Sequence, residues 1–244
     1  DQTISATTLR PLLIATAGDD LLFATAGDDD IDGLGGTDTV SYADATAGVT
    51  VSLAASGVQA TGGSGNDRLT NIENLAGSDH DDTLTGNDGD NTLNGYGGTN
   101  MLAGAGGNDL LIDYGTSSQI DGGDGDDEID EYGTGATIDG GSGNNLLYLN
   151  RSGISAPLDF TFTPGVPGSL PDGSSYRKIQ SLQLVTGAGN DNVTFKAPFG
   201  DGGPYDLWTD NGGIDTVTAD FSSITDALTA RQGATVLNFT TGNP

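Results

Sequence analysis

The chain has 244 residues, only 34% of them hydrophobic, with 41 glycines and no cysteine, which excludes a broad globular core, a disulfide framework and a thiolate metal site. A formal charge of −28 with 7 basic residues excludes nucleic acid and anionic membrane as natural partners and leaves a compact fold in need of a cation. Disorder is the alternative this composition admits, and the spacing of the apolar residues argues against it.

Residues 1–40 read as an N-terminal cap and a short repeat run, in which Leu13, Leu22, Ile31 and Val40 stand nine residues apart. Asp20, Asp29 and Asp38 close the turns before the last three and are candidate metal ligands. The chain begins at Asp1 without Met and shows neither a basic-then-apolar leader nor an apolar run of spanning length, so a processed or excised chain is expected.

Residues 41–76 interrupt the spacing. Val49-Thr50-Val51-Ser52-Leu53 alternates as a strand does, and Asn71-Ile72-Glu73-Asn74-Leu75 follows the first well-formed glycine loop, Gly62-Gly63-Ser64-Gly65-Asn66-Asp67. How many half-coils 41–61 adds is open, and with it the side of the fold on which Asp20, Asp29 and Asp38 lie.

From 77 to 148 the nine-residue spacing is unbroken: Leu84, Leu93, Leu102, Leu111, Ile120, Ile129, Ile138 and Leu147. Before each stands a turn of Gly, Asp and Asn, such as Gly104-Ala105-Gly106-Gly107-Asn108-Asp109 or Gly122-Gly123-Asp124-Gly125-Asp126-Asp127. One such unit cannot bury its single apolar side chain, but two make a coil of eighteen residues, and stacked coils enclose a thin aliphatic core between two parallel sheets. Equivalent loops then lie about 4.8 Å apart.

Of the acidic residues, 32 are Asp and only 3 are Glu, a skew that charge alone does not explain. Asp crowds with Gly where the backbone turns tightly and a carboxylate must reach a nearby hard cation. Loop carbonyls and carboxylates supply oxygen only, which suits calcium better than zinc or magnesium.

These loops resemble the repeats-in-toxin (RTX), or hemolysin-type, calcium-binding nonapeptide family, whose pattern is G-G-x-G-x-D-x-U-x, most closely at 62–70, 104–112 and 122–130. The resemblance implies calcium between alternate loops, disorder in a calcium-poor cytosol, and folding after one-step (type I) export to the outside or surface of a Gram-negative bacterium.

Sorted by parity, one side of the roll should carry the loops at Gly62, Gly86, Gly104, Gly122 and Gly140, whose sixth residues are Asp67, Asn91, Asp109, Asp127 and Asn145. This gives four inter-loop sites, with Ser64, Asp88, Gly106, Asp124 and Ser142 as further candidate ligands. Placing Gly62 there assumes that the stretch to Gly77 holds one turn and one longer strand. The other side carries loops ending at Asp82, Asn100, Ser118 and Ala136, so its calcium is expected only near its start. Tyr96, Tyr114 and Tyr132 fall eighteen apart on that side and should stack as a ladder, by edge packing or as a glycan surface.

Residues 149–185 form a second strand-rich insertion that matches the first: Leu158-Asp159-Phe160-Thr161-Phe162 leads to Lys178-Ile179-Gln180-Ser181-Leu182. Residues 186–244 hold degenerate repeats, with Asp191 and Asp215 as candidate ligands. Phe195, Phe199, Tyr205 and Trp208 make an aromatic patch there, read as a cap over the core, with a ligand groove as the alternative. A third unit starts at Asp215-Thr216-Val217-Thr218 and stops before its downstream strand, so a fragment of a longer protein is expected.

The expected fold is all-β, a right-handed parallel β-roll (a β-helix-like solenoid) with strand-rich insertions, in one elongated domain. No catalytic role is expected. His80 is the only histidine and lies in a turn, no G-x-S-x-G elbow occurs, and the paired carboxylates recur at the repeat spacing where a catalytic pair would be unique. Two functions compete: a calcium-dependent folding and secretion module, and an adhesin or surface-layer segment whose Tyr or Trp surface binds a glycan or neighbouring domains of a longer parent chain. An ice-binding face is a weaker third, since only Thr186 to Asn190 presents the outward Thr and Asn it needs.

Overall fold

The computed structural model describes residues 12–196, 207–220 and 235–240. Within them every regular element is a β-strand, and outside the two insertions the strands as far as Asp215–Asp220 alternate between two faces. The first face is a single parallel sheet of nine strands: Leu21–Phe23, Thr39–Ser41, Asn74–Ala76, Thr92–Asn94, Leu110–Asp113, Glu128–Glu131, Leu146–Asn150, Ser181–Val185 and Leu207–Thr209. The second face is divided among three sheets. Its central one runs through Thr50–Ser52, Thr83–Thr85, Met101–Gly106, Gln119–Asp124, Thr137–Asp139 and Ser175–Arg177.

The register follows the repeat. Leu93, Leu111, Ile129 and Leu147 are successive partners on the first face, and Leu84, Leu102, Ile120 and Ile138 on the second. All eight are at most 2% exposed, so the nine-residue spacing marks the core side chains. Each coil buries few apolar groups for the backbone it orders, and the stack depends on what joins coil to coil. At the N-terminal end Leu13 and Leu22 are half-buried, while Leu12, Ile14, Leu21 and Phe23 stand exposed.

The two insertions share one topology. In the first, Thr50–Ser52 pairs forward with Thr83–Thr85, whereas Gly65–Thr70 pairs back with Asp30–Asp32 and antiparallel with Gln59–Gly62. In the second, Asp159–Phe162 pairs forward with Asn192–Phe195, whereas Ser175–Arg177 pairs back with Thr137–Asp139 and antiparallel with Gly168–Ser169. Both add strands to the second face alone.

This topology corrects the placing of the loop at Gly62. The stretch from Gly62 to Gly77 holds two strands on opposite faces, joined by a turn at Asn71, whose φ is 52°. Gly62, Ser64 and Asp67 therefore lie opposite Asn91, Asp109, Asp127 and Asn145. The extra half-coil carries no glycine loop, and parity counted by glycine loops misses it. Lys178, with φ 55°, makes the same turn in the second insertion, and Ile72 and Ile179 behind these turns are buried.

Candidate metal sites

The loops form two rows. Row one precedes the strands of the first face and holds Asp20, Asp38, Glu73, Asn91, Asp109, Asp127, Asn145 and Gln180. Within it the backbone amide of one residue donates to the side-chain oxygen of the next: Asp20 to Asp38 (2.8 Å), Asp38 to Glu73 (2.8 Å), Asn91 to Asp109 (2.8 Å), Asp109 to Asp127 (2.9 Å), Asp127 to Asn145 (2.9 Å) and Asn145 to Gln180 (2.7 Å). Row two precedes the second face and repeats the device from Asp29 to Asp67, Val49 to Asp82, Asp82 to Asn100, Leu158 to Asp191 and Asp191 to Asp215.

A second ladder runs the other way at the fifth loop position. There the amides of Thr99, Asn108, Asp126 and Asn144 donate to the side-chain oxygens of Asp81, Asp90, Asn108 and Asp126, each eighteen residues earlier. These rungs explain the preference for Asp and Asn, whose short side chains span one coil spacing.

What the other carboxylate oxygen does divides the loops into two kinds. In the first kind the amide of the second loop residue closes back onto the sixth: Thr16 on Asp20 (2.7 Å), Thr25 on Asp29 (2.7 Å), Ser78 on Asp82 (2.6 Å) and Asn87 on Asn91 (2.7 Å). In the second kind that residue is left-handed, with φ 62° at Leu34, 81° at Ala105 and 104° at Gly123. The Leu34 amide goes instead to Asp32 Oδ1 at 3.0 Å. In these open loops Oδ2 of Asp38, Asp109 and Asp127 is buried and accepts no hydrogen bond.

Glycine keeps the space beside these oxygens free. A Cβ at Gly104 would collide with Asp109 Oδ2 and with the Gly122 carbonyl of the next coil; one at Gly122 would meet Asp127 Oδ2 and the Gly140 carbonyl, and one at Gly33 would meet Asp38 Oδ2 and the Asn71 carbonyl. Each hollow is thus bounded by a carboxylate from one coil and a carbonyl from the next. Burial pushes Asp109 up to about 6, with the Asp127 and Asp90 charges adding to it against the Asn91 amide, and burial also raises Asp127. Leaving such carboxylates dry and unpaired is costly, and a cation removes the cost.

At the far end of row two, Asp191, Asp210 and Asp215 bring carboxylate oxygens within 4.8 Å of one another, and Oδ2 of Asp191 and of Asp215 is buried without a partner. Burial raises Asp215, with Asp210 close by. The donors at all these places are oxygen only, in flexible loops, which fits calcium.

Asp38, Asp109, Asp127, Asp191 and Asp215 thus meet the geometry of a ligand. Asp29 and Asp82 lie in the rows with both oxygens engaged by hydrogen bonds, Asp20 has its Oδ2 engaged by the Thr16 amide and hydroxyl, and Asp67 Oδ2 accepts the Thr61 hydroxyl at 3.1 Å. The Asn91 and Asn145 amides also serve as rungs. Among the third-position residues, the Ser64 hydroxyl is spent on the Thr25 carbonyl and that of Ser142 on Asp124, while Asp88 is exposed. Gly62 and Gly106 end the strands Gln59–Gly62 and Met101–Gly106, and Gly86 and Gly140 occupy loop backbone. Sequence reasoning missed Glu73, Gln180 and Asp210 as row or cluster members; the paired Asn71–Leu75 and Lys178–Leu182 motifs were the available signal for the first two.

Two aromatic expectations need correction. Tyr114 and Tyr132 stack with centroids 4.5 Å apart and planes 13° from parallel, but the third ring is Tyr148, 5.6 Å from Tyr132, and not Tyr96. Tyr96 has φ 52°, so its side chain leaves a different backbone from those of Tyr114 and Tyr132. Trp208 is in register with Leu184 and packs half-buried against the core, where it cannot serve as an outward partner surface. Phe195 is buried, and Phe199 and Tyr205 lie outside the described residues.

Stacked parallel coils with an oxygen-lined hollow between successive loops define a metal-binding β-roll. The family model of the RTX calcium-binding nonapeptide repeat (4 copies) matches residues 12–40, 76–111 and 133–151, and the chain carries these repeats as a calcium-binding β-roll module. A comparison with curated proteins finds no match.

Proposed function

We propose that this module folds on calcium outside the cell as part of a protein exported from a Gram-negative bacterium, and that it assists folding and secretion with no catalysis of its own. The observation that carries this reading is the set of five carboxylates, at Asp38, Asp109, Asp127, Asp191 and Asp215, each with one buried oxygen that accepts no hydrogen bond from the described residues. Ions at Asp38, Asp109 and Asp127 of row one, and one shared by Asp191, Asp210 and Asp215, would neutralise them. Bound calcium supplies charge compensation and ties neighbouring coils through shared oxygen ligands. Extracellular calcium modules bind in roughly the 0.1 to 1 mM range, far above resting cytosolic calcium.

His80 supports no catalytic reading: it is exposed, and its amide bonds to the Ser78 hydroxyl at 3.1 Å. Circular dichroism of the chain in chelator and in millimolar calcium tests the proposal, which requires β-structure to appear with the ion. Full β-structure in chelator would overturn it.

A second reading, an adhesive segment, has one observation in its favour, the stacked Tyr114 and Tyr132 rings with Tyr114 51% exposed. Glycan binding lost on Tyr114→Ala would move the assignment that way.

A further inference from the structure

Row two loses its sixth-position ligands where the loops end in Ser118 and Ala136, yet acids reappear at the first position of those same loops, as Asp113 and Glu131. The two are direct partners across parallel strands of the first face, and both are fully buried, on the side of the sheet where the core lies. The next residue in that column is Leu149, so two carboxylates occupy places built for aliphatic side chains. Like charges set opposite one another inside a fold require a counter-ion or a proton.

Among the described residues no cation forms a direct ion pair with either carboxylate. Arg151 is buried beside the pair, but its Nε donates to Asp172 at 2.6 Å, its Nη1 to the Glu131 and Asn150 carbonyls at 3.1 and 3.3 Å, and its Nη2 to the Ser174 hydroxyl at 3.2 Å. Asp113 is engaged by the Asn100 amide group at 2.7 Å and the Gly115 backbone amide at 3.1 Å. Neither Glu131 oxygen accepts a well-formed hydrogen bond. The Arg151 guanidinium is thus paired with Asp172 and stands near Glu131 without a hydrogen bond to its carboxylate.

We propose that Asp113 and Glu131 hold a divalent, oxygen-seeking cation, calcium in an extracellular setting, so that row two keeps a metal site by moving its acid from the sixth loop position to the first. Burial, with the Asp113 charge added, pushes Glu131 up to about 8 against the Arg151 guanidinium and the nearby Gly133 amide, as expected of a carboxyl whose counter-charge comes from outside the chain. The inference rests on the calcium reading of the module as a whole.

Calcium bound per chain, measured by equilibrium dialysis of the whole protein, tests it with Glu131→Gln, with Glu131→Leu, which copies Leu149, and with Asp127→Asn as the row-one control. The site predicts one ion fewer in either Glu131 variant, with the row-one ions and the circular dichroism of the holo form unchanged. An unchanged ion count in both would mean that the pair shares a proton and would overturn the site while leaving the module's calcium intact. A wild-type chain that binds no calcium would overturn both.

Discussion

Asp127 Oδ1 accepts the amide of Asp109 at 2.9 Å, while Oδ2 of the same carboxylate is buried with no partner. One oxygen joins two coils and the other is left for an ion, so the two roles separate by substitution. Asp127→Asn keeps an oxygen for the rung, as Asn145 does for Asp127 itself, and removes the charge. The expected outcome is a calcium midpoint raised roughly tenfold with no loss of stability in chelator. Asp127→Ala loses the rung as well, at a further cost of about 1 kcal/mol. Calcium titrations followed by circular dichroism, with urea unfolding in chelator, measure the two effects apart.

Acid should partly replace calcium. Asp109 is pushed up to about 6, Glu131 to about 8, and Asp127 also upward, all chiefly by burial. A carboxyl whose folded pKa is raised favours folding below its unfolded value, and that contribution fades as pH rises through the folded value. The chelated chain should therefore be more structured at pH 5 than at pH 8. Asp139 opposes the trend: burial raises it, but the Gly141 amide with Lys178 and Arg177 holds it below the ordinary range, so its stabilisation is lost in acid. A chelated chain better folded at pH 8 would contradict this balance.

Ala105 carries a left-handed backbone at φ 81° where the next coil has Gly123. A non-glycine residue there costs roughly 1–2 kcal/mol. Ala105→Gly should raise stability in calcium by about 1 kcal/mol, and Gly123→Ala should lower it by more, because its Cβ would collide with the Ala105 carbonyl. Thermal melts of the holo variants decide the sign.

The loop at 77–82 differs from that at 122–127 only by Ser78 and His80 in place of glycines. Ser78 closes it, through its amide at 2.6 Å and its hydroxyl, onto the Asp82 carboxylate. The double variant Ser78→Gly, His80→Gly should open the loop and add one bound calcium per chain. Anomalous diffraction at the Asp82 hollow checks the gain, and an unchanged count would mean that open and closed loops are not what selects the sites.

The core was legible because a single aliphatic residue recurs at a constant interval, and Leu84 to Leu147 occupy the predicted inward positions. The half-coil through Asn71, Ile72 and Glu73 was not, because its turn rests on one left-handed asparagine and lacks the Gly and Asp signature. The division into open and closed loops was hidden too. It depends on the backbone at Leu34 and Ala105, residues that do not advertise a positive φ, though each aligns with Gly123 of a later copy. Asp113 and Glu131 stand where other loops begin with glycine, and only their strand register shows that they are neighbours inside the fold.

The matched insertions also bear on the chain's history. Asp38 reaches Glu73 across 35 residues and Asn145 reaches Gln180 across 35, while Val49 reaches Asp82 and Leu158 reaches Asp191 across 33 each. Nonads added singly would have no reason to reproduce both intervals together with an antiparallel hairpin between them. Such a chain lengthens by copying a whole block of coils, and a relative with one more block should show the same pair of intervals again, with fresh hollows for ions at each joint.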